Sequence, residues 1–248
     1  MKVACSSASF ARAFTAGTLT QLEWLDICAN ELEVDGIIFD TRDFPRDDAE
    51  YLAQLKKSAT DLGLTVAALA VGLLETQNAA ARLGVAAALG APLLIAGAPE
   101  RSDDPQAWGA FADTLKAASG AAKRTNVTLA LRASQGTLCE SVADYKRIGK
   151  DVDSAWLRFA LPPLALGAAD DPAALLAKAV IAMHVLGEFD SFARENDAEA
   201  LALIKALARF RGFIVLEHAL EPAAATTAYH DAFDRFAHLR ARALATTA

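Results

Sequence analysis

The chain has 248 residues, 54% of them apolar and 22% charged, with a formal net charge of −7 and a pI near 5.1. That size and apolar content suit one domain spanning residues 1–248, since α/β barrels reach this length undivided. The acidic balance excludes a sequence-independent grip on DNA or RNA, which needs clustered Lys and Arg. Apolar stretches are broken by charges, Gly or Pro before reaching the length of a membrane span, so no membrane partner is expected.

Cys5, Cys28 and Cys139 are widely spaced and form no CxxC pair. A sparse, odd set of this kind suits a reducing compartment. The opening segment MKVACSSASF carries one lysine and no long apolar run. No signal peptide is expected, and the cytoplasm is the default location.

In chain order, VACSSAS from Val3 predicts the first strand. Thr20 followed by Glu23 makes a capping box ahead of Leu22, Leu25 and Leu32. VDGIIFD from Val34 is the second strand, and Asp47 with Glu50 repeats the capping logic before Leu52, Leu55 and Leu62. Gly63 supplies the left-handed terminator. LTVAALAV from Leu64 is the third strand, followed by an Ala-rich helix ended by Gly90. After the fourth strand, APLLIAGA from Ala91, Asp104-Pro105 places a capping Asp before a proline suited to the first helical turn.

The second half repeats the pattern. VTLALRA from Val127 and WLRFALP from Trp156 are the fifth and sixth strands, and Asp171-Pro172 starts the helix that follows. VIAMHVLG from Val180 is the seventh strand, with Asp197 and Gly212 bracketing its helix. FIVLEHA from Phe213 is the eighth, and a long helix is expected after Pro222. Continuous apolar runs are what strands buried on both faces require. Strict alternation implies parallel strands joined by right-handed crossovers. Closure gives a single (β/α)8 TIM barrel; an open doubly wound sheet is the alternative.

In such a barrel the functional groups lie at the C-terminal strand ends and in the loops that follow. Arg132 closes the fifth strand, His184 lies near the end of the seventh, and Glu217 ends the eighth. The sixth ends in Leu161-Pro162-Pro163, which offers no side-chain chemistry. A carboxylate at a strand end implies a partner or a ligand, because carboxylates are rarely buried unpaired.

SSASF after the first strand, VDGIIFDTRDFP at the second and LGLTVAALAVG at the third carry a resemblance, as do AAALGAPLLIAGAPE, IAMHVLGE and FIVLEHA further along. Together they cover nearly the whole chain, which resembles the xylose isomerase-like TIM barrels, a group of sugar isomerases and epimerases and of zinc endonucleases of DNA repair. The resemblance implies a divalent metal held by Glu, Asp, His and Glu from strands five to eight. His184 and Glu217 match the last two of these ligands. The first falls on Arg132 and the second on or beside Pro162, while the glutamate often offered by strand two falls in Ile38-Phe39.

Two of four ligands are therefore missing, and a guanidinium among the rest repels a cation. No metal and no cofactor is expected. Arg132 forms a bidentate pair with Glu217, binds a carboxylate, phosphate or polyol of a ligand, or turns to solvent. His184 reads as a hydrogen-bonded core residue or as a general acid or base. Arg42 and Asp43 form an exposed loop pair or reach the site, and Glu188 belongs to a solvated loop or contributes to it. Cys139 and Glu140 have nothing nearby to activate the thiol; His218 faces away from Glu217 by strand alternation, and His230 and His238 lie on the last helix.

The resemblance implies a sugar isomerase or epimerase; in this chain Glu217 and His184 are the expected catalytic residues, and Arg132, Arg42 and Glu188 are expected to bind a small carbohydrate-like molecule. The alternative is a pseudoenzyme that binds a ligand or a protein. Four histidines and an acidic charge argue against a multi-metal endonuclease. Ala-rich outer helices are compatible with a homo-oligomer and equally with a well-packed helix ring.

Overall fold

A computed structural model describes residues 2–161, 179–185, 212–217 and 241. Eight parallel strands close into a barrel in sequence order. They are β1 (Lys2–Ser6), β2 (Gly36–Asp40), β3 (Thr65–Leu73), β4 (Leu93–Gly97), β5 (Thr128–Arg132), β6 (Leu157–Leu161), β7 (Ala179–Val185) and β8 (Phe213–Glu217). Each expected strand is present, its ends differing by up to three residues where the flanking residues are described. The ring closes through β1 and β8, which pair Ala4 with Val215 and Cys5 with Leu216.

Among the described residues the helices are α1 (Ala11–Thr15), α2 (Gln21–Asn30), α3 (Ala49–Asp61), α4 (Ala79–Leu89), α5 (Pro105–Thr125) and α6 (Val142–Val152). The helices expected from Asp171-Pro172, Asp197 and Pro222 lie outside those residues. The capping box of Thr20 and Glu23 opens α2, Gly90 ends α4 in the left-handed conformation, and Asp104 caps α5 ahead of Pro105. One cap is displaced from expectation. Asp48, not Asp47, accepts the Tyr51 amide at 3.0 Å, because α3 begins at Ala49 and leaves Asp48 extended. Asp47 faces Arg82 instead.

Alternation along the strands sorts the core into two layers. Cys5, Ile37, Phe39, Leu94, Leu129, Leu131, Phe159 and Ile214 face outward and pack with helix residues such as Trp24, Leu55 and Leu83. Ala4, Ile38, Ala68, Ala70, Ile95, Ala130, Ala160 and Val215 fill the barrel interior as a separate cluster. This inner layer is largely alanine, and the next inward positions toward the C-terminal end sit directly above it. No helix among the described residues is long and apolar enough to cross a membrane.

Candidate functional site at the barrel mouth

Counting two residues on from the inner layer names the groups that line the mouth: Ser6, Asp40, Gly97, Arg132 and Glu217. Gly72 and Gly97, at the ends of β3 and β4, contribute no side chain, and a Cβ added at Gly72 would meet nothing within 4 Å. Space is thus open beside Gly72.

Arg132 reaches across from β5 to Glu217 on β8. Both terminal guanidinium nitrogens donate to the two carboxylate oxygens, one of them at 3.4 Å and the other closer. Glu217 is only 7% exposed, whereas the Arg132 side chain keeps 31% of its surface. The pair therefore presents the guanidinium edge to the mouth and holds the carboxylate beneath it. Such a two-point pair is the strong form of an Arg–carboxylate contact.

A second pair stands at the end of β2. Asp40 is buried, and its oxygens accept from Arg42 Nε at 2.9 Å and Nη2 at 2.7 Å. The Arg42 side chain remains 68% exposed. The hydrogen-bonded Asp40 raises the Arg42 pKa, and Asp43 and Glu217 add smaller pulls. Arg42 thus belongs to the same electrostatic group as Glu217. The parity of Asp40 with Gly36 and Ile38 is the sequence signal for its place at the mouth.

Asp43 does not pair with Arg42. Its carboxylate accepts from Ser7 Oγ at 2.7 Å, and Ser7 Oγ accepts in turn from the Asp40 amide at 2.8 Å. Burial pushes the Asp43 pKa up, opposed by the Ser7 hydrogen bond, with Asp40 pushing the same way. Ser6, fully buried on β1, has no partner for its hydroxyl. The described mouth holds three carboxylates, Asp40, Asp43 and Glu217, against two guanidiniums.

His184 lies in β7, where the register pairs it with Leu216 and pairs Val185 with Glu217. The backbone thus brings His184 to the strand beside Glu217, one register step from it. Pro162, Glu188, His218, His230 and His238 lie outside the described residues. Cys139 is buried, and burial pushes its thiol up to about 12, with the Asp144 charge adding to the effect.

A family model for the xylose isomerase-like TIM barrel matches residues 28–236. No curated protein matches the chain in sequence. Among solved structures, an L-ribulose 3-epimerase is 17% identical with a TM-score of 0.70, covering 100% of this chain and 98% of its own. The 3-keto-D-glucoside 4-epimerase YcjR from E. coli is 16% identical at a TM-score of 0.69, covering 97% of this chain and 99% of its own. IolI, solved with a bound zinc atom, is 15% identical at 0.71, with 98% and 99% covered. At these identities the likeness speaks for the fold.

Proposed function

The chain belongs to the xylose isomerase-like TIM barrel family, and on that premise we propose a sugar isomerase- or epimerase-type barrel that uses Arg132 where its relatives use a divalent metal. In this reading one domain completes the (β/α)8 alternation beyond β6, β7 and β8, and its mouth takes a small carbohydrate-like molecule. The sparse, buried cysteines suit a cytoplasmic protein.

The observation that supports the exchange is the Arg132–Glu217 pair. A hard divalent ion needs several oxygen donors to replace its water. Here strand five supplies a cation, the sequence after strand six reads Pro162-Pro163, and both Glu217 oxygens are engaged by Arg132. The residues present do not fit the family's metal.

What the pair offers instead suits a polyol. A hydroxyl can donate to a carboxylate and accept from a guanidinium at once, and Asp40–Arg42 repeats the same arrangement near by. For proton abstraction beside a carbonyl, Glu217 is the base. Arg132, fixed and partly dry, stabilises the developing enediolate oxygen. The non-catalytic alternative has its own support. Both inward carboxylates, Asp40 and Glu217, are already gripped at two points, and neither is free to take a proton without giving up a cation.

Metal content and thermal unfolding test the reading, with Mn2+, Mg2+, Co2+ and Zn2+ in one series and free aldoses and ketoses in another. Only a ligand that prefers the folded state raises the melting temperature. The expected result is no shift with any metal and a shift with a sugar that Glu217→Gln removes, each variant read against its own baseline. Stoichiometric metal, or a metal shift lost in Glu217→Ala, would overturn the exchange. Solvent deuterium appearing in a recovered sugar then separates enzyme from pseudoenzyme.

A further inference from the structure

Each ion pair at the mouth has a covered acid and an exposed cation. The Asp40 and Glu217 side chains keep only 4% and 9% of their surface, against 68% and 31% for Arg42 and Arg132. Each carboxylate is already held at both oxygens. What a ligand meets at these two strand ends is therefore guanidinium, a group with donors and no acceptor.

Both guanidiniums have donors left. Arg42 uses Nε and Nη2 on Asp40, and its Nη1 has no acceptor among the described residues. Arg132 uses Nη1 and Nη2 on Glu217, and its Nε has none among them either. Asp40 and Glu217 end β2 and β8, the two neighbours of β1 in the closed ring. That sets them two strand spacings apart, about 10 Å along the ring. Ser6, which ends β1 between them, carries no charge. Arg42 is also close enough to Glu217 to be influenced by its charge. One small ligand can therefore reach both pairs.

Four ligand chemistries can be compared at this place. A cation meets two guanidiniums and finds the acid of each pair covered. A neutral hydroxyl accepts from one donor and brings no charge. A carboxylate accepts with two oxygens, and hydrogen bonds between ionised partners are roughly twice as strong as neutral ones. A phosphate dianion accepts as well, but it brings a second negative charge to a mouth that already holds Asp40, Asp43 and Glu217 against two guanidiniums. Repulsion grows with each charge added. A monoanion thus uses the free donors at the smallest electrostatic cost.

We infer that the ligand of the mouth is a sugar acid, its carboxylate held by Arg42 through Nη1 and its hydroxyl-bearing carbons extending to the Arg132–Glu217 pair. The inference rests on the carbohydrate reading of the mouth and narrows it to sugars carrying one carboxylate. Arg42 then sets specificity, while Arg132 and Glu217 keep the reacting end.

Calorimetric titration of the full chain tests it with five- and six-carbon aldonates, each matched with the alditol of the same configuration and with that alditol's terminal phosphate. Within a matched set the aldonate is expected to bind at least about tenfold more tightly than the alditol, an easily measured difference, and more tightly than the phosphate. Added salt should shrink that advantage, because Arg42 is exposed. Arg42→Gln should bring aldonate and alditol to about equal affinity. Arg46→Gln, at an exposed arginine paired with Asp48, should leave the advantage intact. Alditols binding as tightly as aldonates, or phosphates binding best, would overturn the carboxylate assignment and leave the carbohydrate reading standing. No binding by any member of the panel would overturn both. An advantage that survives Arg42→Gln, or is lost in Arg46→Gln, would also overturn the assignment, by placing the carboxylate on another cation.

Discussion

Replacing Arg132 by methionine removes the cation from a carboxylate that is 7% exposed and leaves Glu217 charged without its partner. Breaking a fully buried pair from one side costs about 3–5 kcal/mol. The Arg132 side chain keeps 31% of its surface, so water reaches the vacated space, and the expected loss falls to about 2–3 kcal/mol. For a domain of this size that lowers the melting temperature by roughly 4–12 °C. Glu217→Leu should cost less, because the guanidinium it strands is the more exposed partner. The double variant Arg132→Met/Glu217→Leu removes both charges and should lie within about 1 kcal/mol of the parent, giving a coupling of at least about 1 kcal/mol. Urea unfolding at pH 7, with midpoint and slope fitted together, reads all three. Single losses below about 1 kcal/mol, or additive effects in the double variant, would refute the argument that Glu217 depends on Arg132.

Asp43→Asn tests the sign of an electrostatic effect. Burial raises the Asp43 pKa above the ordinary 3.8, so the folded state holds this proton more tightly and stability falls as pH rises from 3.8 through the folded value. The parent should lose stability across that window relative to Asp43→Asn; equal slopes in the two proteins would sink the assignment. Gly36→Ala should prevent or badly impair folding, since a Cβ there lies 2.6 Å from the Phe213 ring and 2.8 Å from the Thr65 carbonyl oxygen. Gly84→Ala, on α4 with nothing within 4 Å, should stabilise by roughly 0.5–1 kcal/mol; urea midpoints compare the two. Cys139, buried and with its thiol near 12, should escape iodoacetamide at pH 7 in the native protein and react fully in urea, as mass spectrometry would show.

Much of the ring was legible in the sequence because burial on both faces leaves an unbroken apolar signature. Ile37, Ile38, Leu94, Ile95, Leu129 and Leu131 record it residue by residue. The Arg132–Glu217 pair was also within reach, since parity fixes both at the mouth once the strands are placed. Asp40 was not singled out, because its partner depends on how the short helical turn at Thr41–Asp43 folds Arg42 back. The cap falls one residue later than expected, at Asp48, because α3 begins at Ala49. For His184 and Glu188 the sequence states only the residue type.

The two ion pairs at the mouth differ in when they can form. Asp40 and Arg42 are neighbours in the chain and can meet as soon as the second strand and its turn exist. Arg132 and Glu217 are 85 positions apart, on β5 and β8, and their meeting waits for most of the ring to assemble. A contact with so large a loop to close contributes little before the last strands dock. Its stabilisation therefore acts on the rate of escape from the native state: the pair is a brake on unfolding, and weakening it shortens the lifetime of the folded barrel while leaving the approach to it almost unchanged.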